Sequence, residues 1–168
     1  MTHQIVRPFR QMTLLENVTL AAGHVQTRQP WLALWRTKTR QARERGLQEL
    51  QRVGISDAAN KPAHQVPLGY LKRLQVAMAL ALDPKFLMLD EPLAGLNYHE
   101  AERFSNFLTE LHQQGLGMLL VEHNLGEVLR VVKRLVVIDA GKVLADGEPS
   151  TVMVLPQVRR AYLGDTSA

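Results

Sequence analysis

The chain has 168 residues, of which 46% are hydrophobic and 21% charged, with 20 basic side chains, 16 acidic ones and no cysteine. This composition favours a packed core, and the lack of cysteine excludes disulfide frameworks, thiolate metal sites and cysteine nucleophiles. No uncharged apolar run approaches the roughly 18 residues that a membrane-spanning helix needs. We therefore expect a water-soluble chain that forms one domain of ordinary size or a piece of a larger one.

The charge is unevenly distributed along the chain. Residues 1–52 contain nine basic and three acidic side chains. Such a basic half is compatible with nucleic-acid or anionic-lipid binding, but a solvated helix face produces the same pattern. Because Trp31 and Trp35 precede the basic run instead of alternating with it, base stacking is not indicated, and we expect no nucleic-acid partner.

The hydrophobic pattern predicts helices in the first half of the chain and an α/β arrangement in the second. Helices are predicted over residues 12–24, 39–53, 70–82, 98–114 and 125–132, with two helical pieces over 149–163 that Pro156 divides. Strands are predicted over 86–89, 118–121, 135–138 and 142–145, with a hairpin turn at 139–141. Apolar strands that alternate with helices predict a parallel sheet covered on both faces. We expect a helical domain over 1–84 and an α/β domain over 85–168.

A pair of carboxylates follows the first predicted strand. Asp90 and Glu91 stand where that strand ends, and the carboxyl ends of parallel strands open into the crevice where α/β sheets bind ligands. One carboxylate could hold Mg²⁺ while the other orients or deprotonates a nucleophilic water. A strand that ends in an acidic turn is also common without any such site.

Two further residues extend this candidate site. His123 follows the next apolar strand, so neighbouring strand ends would bring it near Asp90 and Glu91, where it could donate to a phosphate oxygen. Gly69 precedes the helix predicted over 70–82, and a glycine there lets backbone N–H groups approach an anion. Taken singly, the histidine and the glycine each have a purely structural interpretation.

The order and spacing of these elements resemble the ATP-binding subunit of ABC transporters. The matching segments are Leu87–Pro92 for Walker B with its catalytic glutamate, Ala94–Asn97 for the D-loop, Val121–His123 for the H-loop and Val66–Tyr70 in the place of the signature motif. Asn97, Val121–Asn124 and Arg160–Gly164 are similar, more narrowly, to branched-chain amino-acid importer ATPases. The resemblance, from about residue 4 to residue 164, implies the C-terminal part of an ABC-type P-loop NTPase domain, with flanking helices on a parallel sheet and a helical subdomain.

The resemblance also implies a role for each matching residue, with ATP and Mg²⁺ as the cofactors. Asp90 would hold Mg²⁺ together with Gln4, which resembles the Q-loop glutamine that senses the transporter. Glu91 would be the general base, and His123 would contact the γ-phosphate.

Further expectations concern the partners that the resemblance implies. Asn97 and the loop around Gly69 would act across a dimer interface on the nucleotide of a second ATP-binding subunit, identical or different. Transmembrane permease subunits would contact the basic helical half. The protein would then lie at the cytoplasmic face of the membrane.

The match to the family fails in two places. No G-x-x-x-x-G-K-[ST] sequence occurs in the 168 residues, so the Walker A segment that the resemblance implies would lie upstream of residue 1. The signature-like loop has Pro67, Tyr70 and Leu71 where the family has other residues, although Gly69 and the basic pair Lys72–Arg73 remain. Since the loss of one preorganised donor costs about 10²–10³ in rate, we expect that this chain alone neither binds Mg·ATP tightly nor hydrolyses it.

The missing segment also predicts exposed strands. In the sheet order that the resemblance implies, residues 118–121 and 135–138 would flank an unfilled slot, so we expect poor solubility or an assembly that supplies the strand. The sequence thus leaves two functions open, an ATP-hydrolysing transport subunit and a non-catalytic module that docks on transporter subunits or a complete ATPase. It does not encode the transported solute.

Overall fold

The computed structural model describes residues 7–26, 35–123 and 125–163. The chain divides into two units, Met1–His123 and Asn124–Ala168. The boundary expected between residues 84 and 85 stays a prediction. Gln4 lies outside the described residues.

The positions of the helices and strands follow the predicted pattern closely. The helices are α1 (Leu14–Gln26), α2 (Trp35–Arg52), α3 (Leu68–Leu80), α4 (Tyr98–Gln113), α5 (Leu125–Val128), α6 (Pro149–Met153) and α7 (Pro156–Leu163). The strands are β1 (Phe86–Asp90), β2 (Gly117–Val121), β3 (Leu135–Asp139) and β4 (Lys142–Gly147). The helix predicted over 125–132 is shorter, because it gives way to a turn after Val128. None of the helices among the described residues is long and apolar enough to cross a membrane.

Helices α1, α2 and α3 pack on one another in the first unit. Their facing residues are fully buried, among them Leu14 and Val18 of α1, Leu50 of α2 and Leu74 of α3. Apolar residues three or four positions apart share one face of a helix, so each helix presents a stripe to its neighbours. This mutual burial builds the core of the helical part.

A buried asparagine fixes the chain just before α1. Asn17 is 0% exposed; its Oδ1 accepts from the Phe9 amide at 2.7 Å, and its Nδ2 donates to the carbonyl oxygens of Phe9, Met12 and Thr13. Thr13 and Glu16 form a reciprocal capping box at the start of the helix. Residues 9–13 are therefore held by side chains of α1 itself.

Strands β1 and β2 pair in parallel, with Phe86 opposite Gly117 and Asp90 opposite Val121. The parallel pairing agrees with the prediction, but the expected covering of both faces is wrong for these strands. In β1, Leu87 and Leu89 are buried, whereas Phe86 and Met88 between them are about 40% exposed. A strand points alternate side chains to opposite faces, so within the first unit helices cover only one face of β1.

The second unit is built on a hairpin, as the sequence predicts. Strands β3 and β4 pair antiparallel, and Ala140 and Gly141 both have positive φ in the turn, which is typical of a two-residue hairpin loop. Val152 and Val158 of the following helices pack into the core of this unit. On β3, Ile138 is 66% exposed, and Arg134, just before β3, forms a two-point ion pair with Asp146 of β4.

Candidate nucleotide site at the strand ends

The parallel register of β1 and β2 brings their carboxyl ends together. Asp90 closes β1 opposite Val121; Glu91 follows β1 directly, and His123 follows β2 after Glu122. Asp90, Glu91 and His123 are all exposed. Glu91 and His123, 32 positions apart in the chain, therefore converge at one edge of the sheet, as their place after neighbouring strands predicts.

Glu91 and His123 lie in direct contact. The distance between Glu91 Oε1 and His123 Nδ1 is 3.3 Å, and the two side chains are 54% and 73% exposed. An exposed pair of this kind adds little to the free energy of folding. Its chemical value is that a carboxylate able to accept a proton from water and an imidazole able to donate to a phosphate oxygen share one open site.

The backbone of Glu91 has an unusual conformation. Its φ is +45°, in the left-handed region that costs a non-glycine residue roughly 1–2 kcal/mol. The Glu91 amide donates to the carbonyl oxygen of Val121 at 2.9 Å, and the Glu91 carbonyl accepts from Lys72 Nζ at 2.9 Å and from the Ala94 amide at 3.2 Å. Contacts with α3, with β2 and with the next turn thus hold this one residue.

Glu122 supports the loop that follows Glu91. Its Oε1 accepts from the Leu93 amide at 2.8 Å, and Leu93 itself is buried. Neighbouring residues of an extended chain point to opposite sides, so Glu122 can secure the loop while His123 reaches Glu91. Glu122 and Lys72 stand within or beside segments that the sequence singles out, but their own contacts join segments far apart in the chain, so the sequence assigns them no individual role.

The position of Asp90 suits a site in which the protein and the phosphates of a substrate together bind Mg²⁺. Among the residues that the structure describes, no three His, Asp or Glu side chains cluster as they would in a metal cage made by protein alone. Mg²⁺ commonly keeps several waters and is held by one or two carboxylates together with substrate phosphates. An exposed carboxylate at the strand end suits that arrangement. The second expected ligand, Gln4, lies outside the described residues.

Asn97 caps helix α4. Its side chain accepts from the Glu100 amide at 3.0 Å while the Glu100 carboxylate accepts from the Asn97 amide at 3.0 Å, a complete capping box. Just before it, Gly95 has a φ of +78°, and a Cβ there would lie 2.9 Å from the Leu68 side chain. Only glycine suits both the left-handed turn and that close approach. Contact of Asn97 with a nucleotide stays a prediction.

Gly69 lies inside the first turn of α3, not before the helix as the sequence analysis expected. The helix begins at Leu68, because the Tyr70 and Leu71 amides already donate to the carbonyl oxygen of Pro67. Pro67, the N-cap, makes no capping hydrogen bond through its side chain. Whether the Gly69 loop binds an anion stays a prediction.

Tyr70 is engaged within the chain. Its hydroxyl donates to Asp57 Oδ2 at 3.0 Å, and this hydrogen bond raises the pKa of the phenol. Arg73, one turn further along α3, donates to the carbonyl oxygens of Val53 and Arg103 and lies over the ring of Phe107 at 5.0 Å. These contacts fix the first turns of α3 to residues 53–57 and to α4.

Comparison with known proteins places these features in a family. The sequence profile of the ABC transporter family matches residues 1–94. The chain is 35% identical over 171 residues to the high-affinity branched-chain amino acid transport ATP-binding protein LivG of Salmonella typhimurium, covering 98% of this chain and 67% of the relative. It is 33% identical to the lipopolysaccharide export system ATP-binding protein LptB of Haemophilus influenzae, covering 94% of this chain and 61% of that protein.

Solved structures show the same fold. The ADP conformation of an ATP-binding cassette from an ABC transporter superposes with a TM-score of 0.78 at 26% identity, over 98% of this chain and 67% of that one. A nucleotide-free ATP-binding cassette superposes with a TM-score of 0.81 at 24% identity, over 98% of this chain and 69% of that one. The chain therefore has the fold of an ABC ATPase over about two thirds of the length of these neighbours.

Proposed function

Because this chain belongs to the ABC transporter family, we propose that it acts as the ATP-binding subunit of an importer of branched-chain amino acids. The likeness to LivG, which extends over 98% of the chain, supports the solute class. LptB, an export protein, matches a smaller share of the chain at lower identity. The import direction and the solute therefore rest on the relatives, and the ATPase chemistry rests on the site.

The observation that carries the ATPase proposal is the 3.3 Å contact between Glu91 and His123 at the ends of adjacent parallel strands. Glu91 accepts the proton of the attacking water, and His123 donates to the γ-phosphate. Asp90 would hold Mg²⁺, with Gln4 as a second ligand. The ion, when bound, neutralises charge on the phosphates.

These 168 residues do not contain a complete phosphate site. They hold no G-x-x-x-x-G-K-[ST] sequence, the motif whose backbone amides and lysine cradle the phosphates in P-loop enzymes. We infer that these residues alone neither bind Mg·ATP tightly nor hydrolyse it. In this proposal, residues outside the 168 supply the cradle.

The partners are permease subunits and a second ATP-binding subunit, identical or different, at the cytoplasmic face of the membrane. Asn97 and the Gly69 loop face that second subunit's nucleotide. The basic character of residues 1–52 suits contact with the membrane subunits. One solved neighbour, from Clostridium perfringens, is described as part of an ABC transporter complex.

A second candidate function is a non-catalytic module that docks on transporter subunits or on a complete ATPase. The contact between Tyr70 and Asp57 favours it, because the signature-like loop uses a side chain within its own chain that would otherwise be available to a partner's nucleotide. Pro67 and Leu71 add no polar side chain there.

The test is Mg²⁺-dependent ATP hydrolysis by a transporter assembled from this chain, its permease subunits and the residues that supply the phosphate cradle. Glu91→Gln is expected to lower the rate by about 10²–10⁴, the usual contribution of a general base, whereas Glu102→Gln, at an exposed position of α4, should leave it unchanged. An assembled complex with no hydrolysis supports the non-catalytic module instead. If the purified chain alone hydrolyses ATP and Glu91→Gln abolishes this activity, the inference that the chain needs a phosphate cradle from other residues is wrong.

A further inference from the structure

The ammonium group of Lys72 reaches from α3 to the strand end. Its Nζ lies 2.9 Å from the carbonyl oxygen of Glu91, 19 residues away in the chain, and Lys72 is half-buried. A hydrogen bond from a charged donor is stronger than one between neutral groups. The proposed chemistry does not use this contact, and its direct effect is on the backbone of Glu91.

The backbone conformation of Glu91 depends on the groups that surround it. A non-glycine residue at φ +45° is strained and persists only when its surroundings over-determine it. Two of its supports, the bonds with Val121 and Ala94, come from the backbone of the strand pair and of the next turn. Lys72 supplies a third bond to the backbone of Glu91, and its donor is a side chain of α3.

We propose that Lys72 is a positioning residue that keeps Glu91 in the left-handed conformation and so keeps its carboxylate beside His123. This inference rests on the proposed role of Glu91 as general base. It also couples the first turns of α3, where the signature-like loop lies, to the carboxylate that activates water. A displacement of α3 would therefore reach the general base through one hydrogen bond.

Hydrogen exchange on the full chain tests the positioning directly. Lys72→Met removes the ammonium group at similar length, and we expect the amides of Glu91 and Ala94 to exchange about ten- to a hundredfold faster. Lys72→Arg, which can still donate, should stay close to wild type, and Lys61→Met, at an exposed position of the same unit, should have no effect. The proposal would be overturned if Lys72→Met accelerated exchange equally at all slowly exchanging amides, or if it did not accelerate exchange at Glu91 and Ala94.

The Glu91→Gly variant distinguishes a specific effect of Lys72 on the backbone of Glu91 from a general effect of Lys72 on the stability of the fold. Glycine adopts positive φ without strain, so Lys72→Met should change the Ala94 exchange rate much less in the Glu91→Gly background. Glu91→Gly alone should raise the urea midpoint by relieving strain, and this measurement stands even if Lys72→Met fails to fold. A lower midpoint, or the same exchange response in both backgrounds, contradicts the proposal.

Kinetics of the assembled transporter give the functional readout. Lys72→Met should lower kcat for ATP hydrolysis at least tenfold and leave KM for ATP unchanged, because Lys72 acts on the general base and not on the nucleotide. Lys72→Arg should restore kcat. A raised KM at constant kcat would overturn the proposal. If the wild-type complex hydrolyses no ATP, the proposed function fails, and the exchange data still decide whether Lys72 positions Glu91.

Discussion

The helical part of the first unit and its sheet bury their apolar residues to different extents. Leu14, Leu50 and Leu74 of the three helices are completely buried, whereas β1 leaves Phe86 and Met88 about 40% exposed. A helix has one apolar stripe, which two neighbouring helices can cover, but a strand with apolar residues at every position has two faces and needs a layer on each. The facing stripes of the three helices are thus buried, although Leu20, Leu47 and Leu68 outside them are about 40–50% exposed, whereas one whole face of β1 is exposed.

The largest expected effect tests this difference within β1. Leu89→Ala, at a residue 1% exposed, should cost about 2–5 kcal/mol of unfolding free energy, while Met88→Ala, at a residue 39% exposed, should cost less than about 1 kcal/mol. Urea unfolding measures both. An equal loss at Met88 would mean that another layer covers this face in solution, and the comparison would fail.

A polar residue of the helical part should give the next largest effect. Asn17→Ala leaves the Phe9 amide without the partner it has now, while the carbonyl oxygens of Phe9 and Met12 keep the amides of Met12 and Ala63. We therefore expect a loss of about 1–3 kcal/mol. Asn106→Ala, at an exposed position of α4, is the matched control. Equal unfolding midpoints for the two variants would show that water replaces Asn17 and that this end of the helical part is open.

The smallest effect is a pH dependence within the helical part. Burial raises the pKa of Glu49 above 4.5 despite the nearby Arg52 and Arg45. The folded chain then holds a proton that the unfolded chain has lost, so this contribution to stability is present below pH 4.5 and is lost as the pH rises through the native pKa. Glu49→Gln should flatten that fall in urea midpoint with rising pH, and Glu102→Gln should not. A pH profile of Glu49→Gln that coincides with wild type would contradict the assignment.

The strand ends show how far sequence reasoning reaches into the site. The proximity of Glu91 and His123 is confirmed by the structure, because two residues that follow neighbouring parallel strands must meet at one edge. Their catalytic roles stay predictions. Gly69 lies in the first turn of α3 and not before it, because the helix begins two residues earlier than predicted; nothing local reveals that the carbonyl of Pro67 already accepts the first amides of α3.

Other contacts carried no sequence signal. Lys72 bonds to Glu91 over 19 residues and Tyr70 to Asp57 over 13, and neither distance matches a helical or strand period. The capping box of Asn97 with Glu100 was recoverable in principle, because an asparagine three residues before a glutamate is a known start of a helix.

By itself, the sequence determined where helices and strands lie, where the hairpin turns and which polar residues follow the strands. These are local properties, set by periodicities of 3.6 and 2 residues and by turn chemistry. Only the tertiary structure decided that β1 is covered on one face, that Glu91 takes a left-handed conformation and that Lys72 donates to its carbonyl oxygen. Burial and hydrogen-bond partners depend on segments distant in the chain, and no local pattern specifies which of them come together.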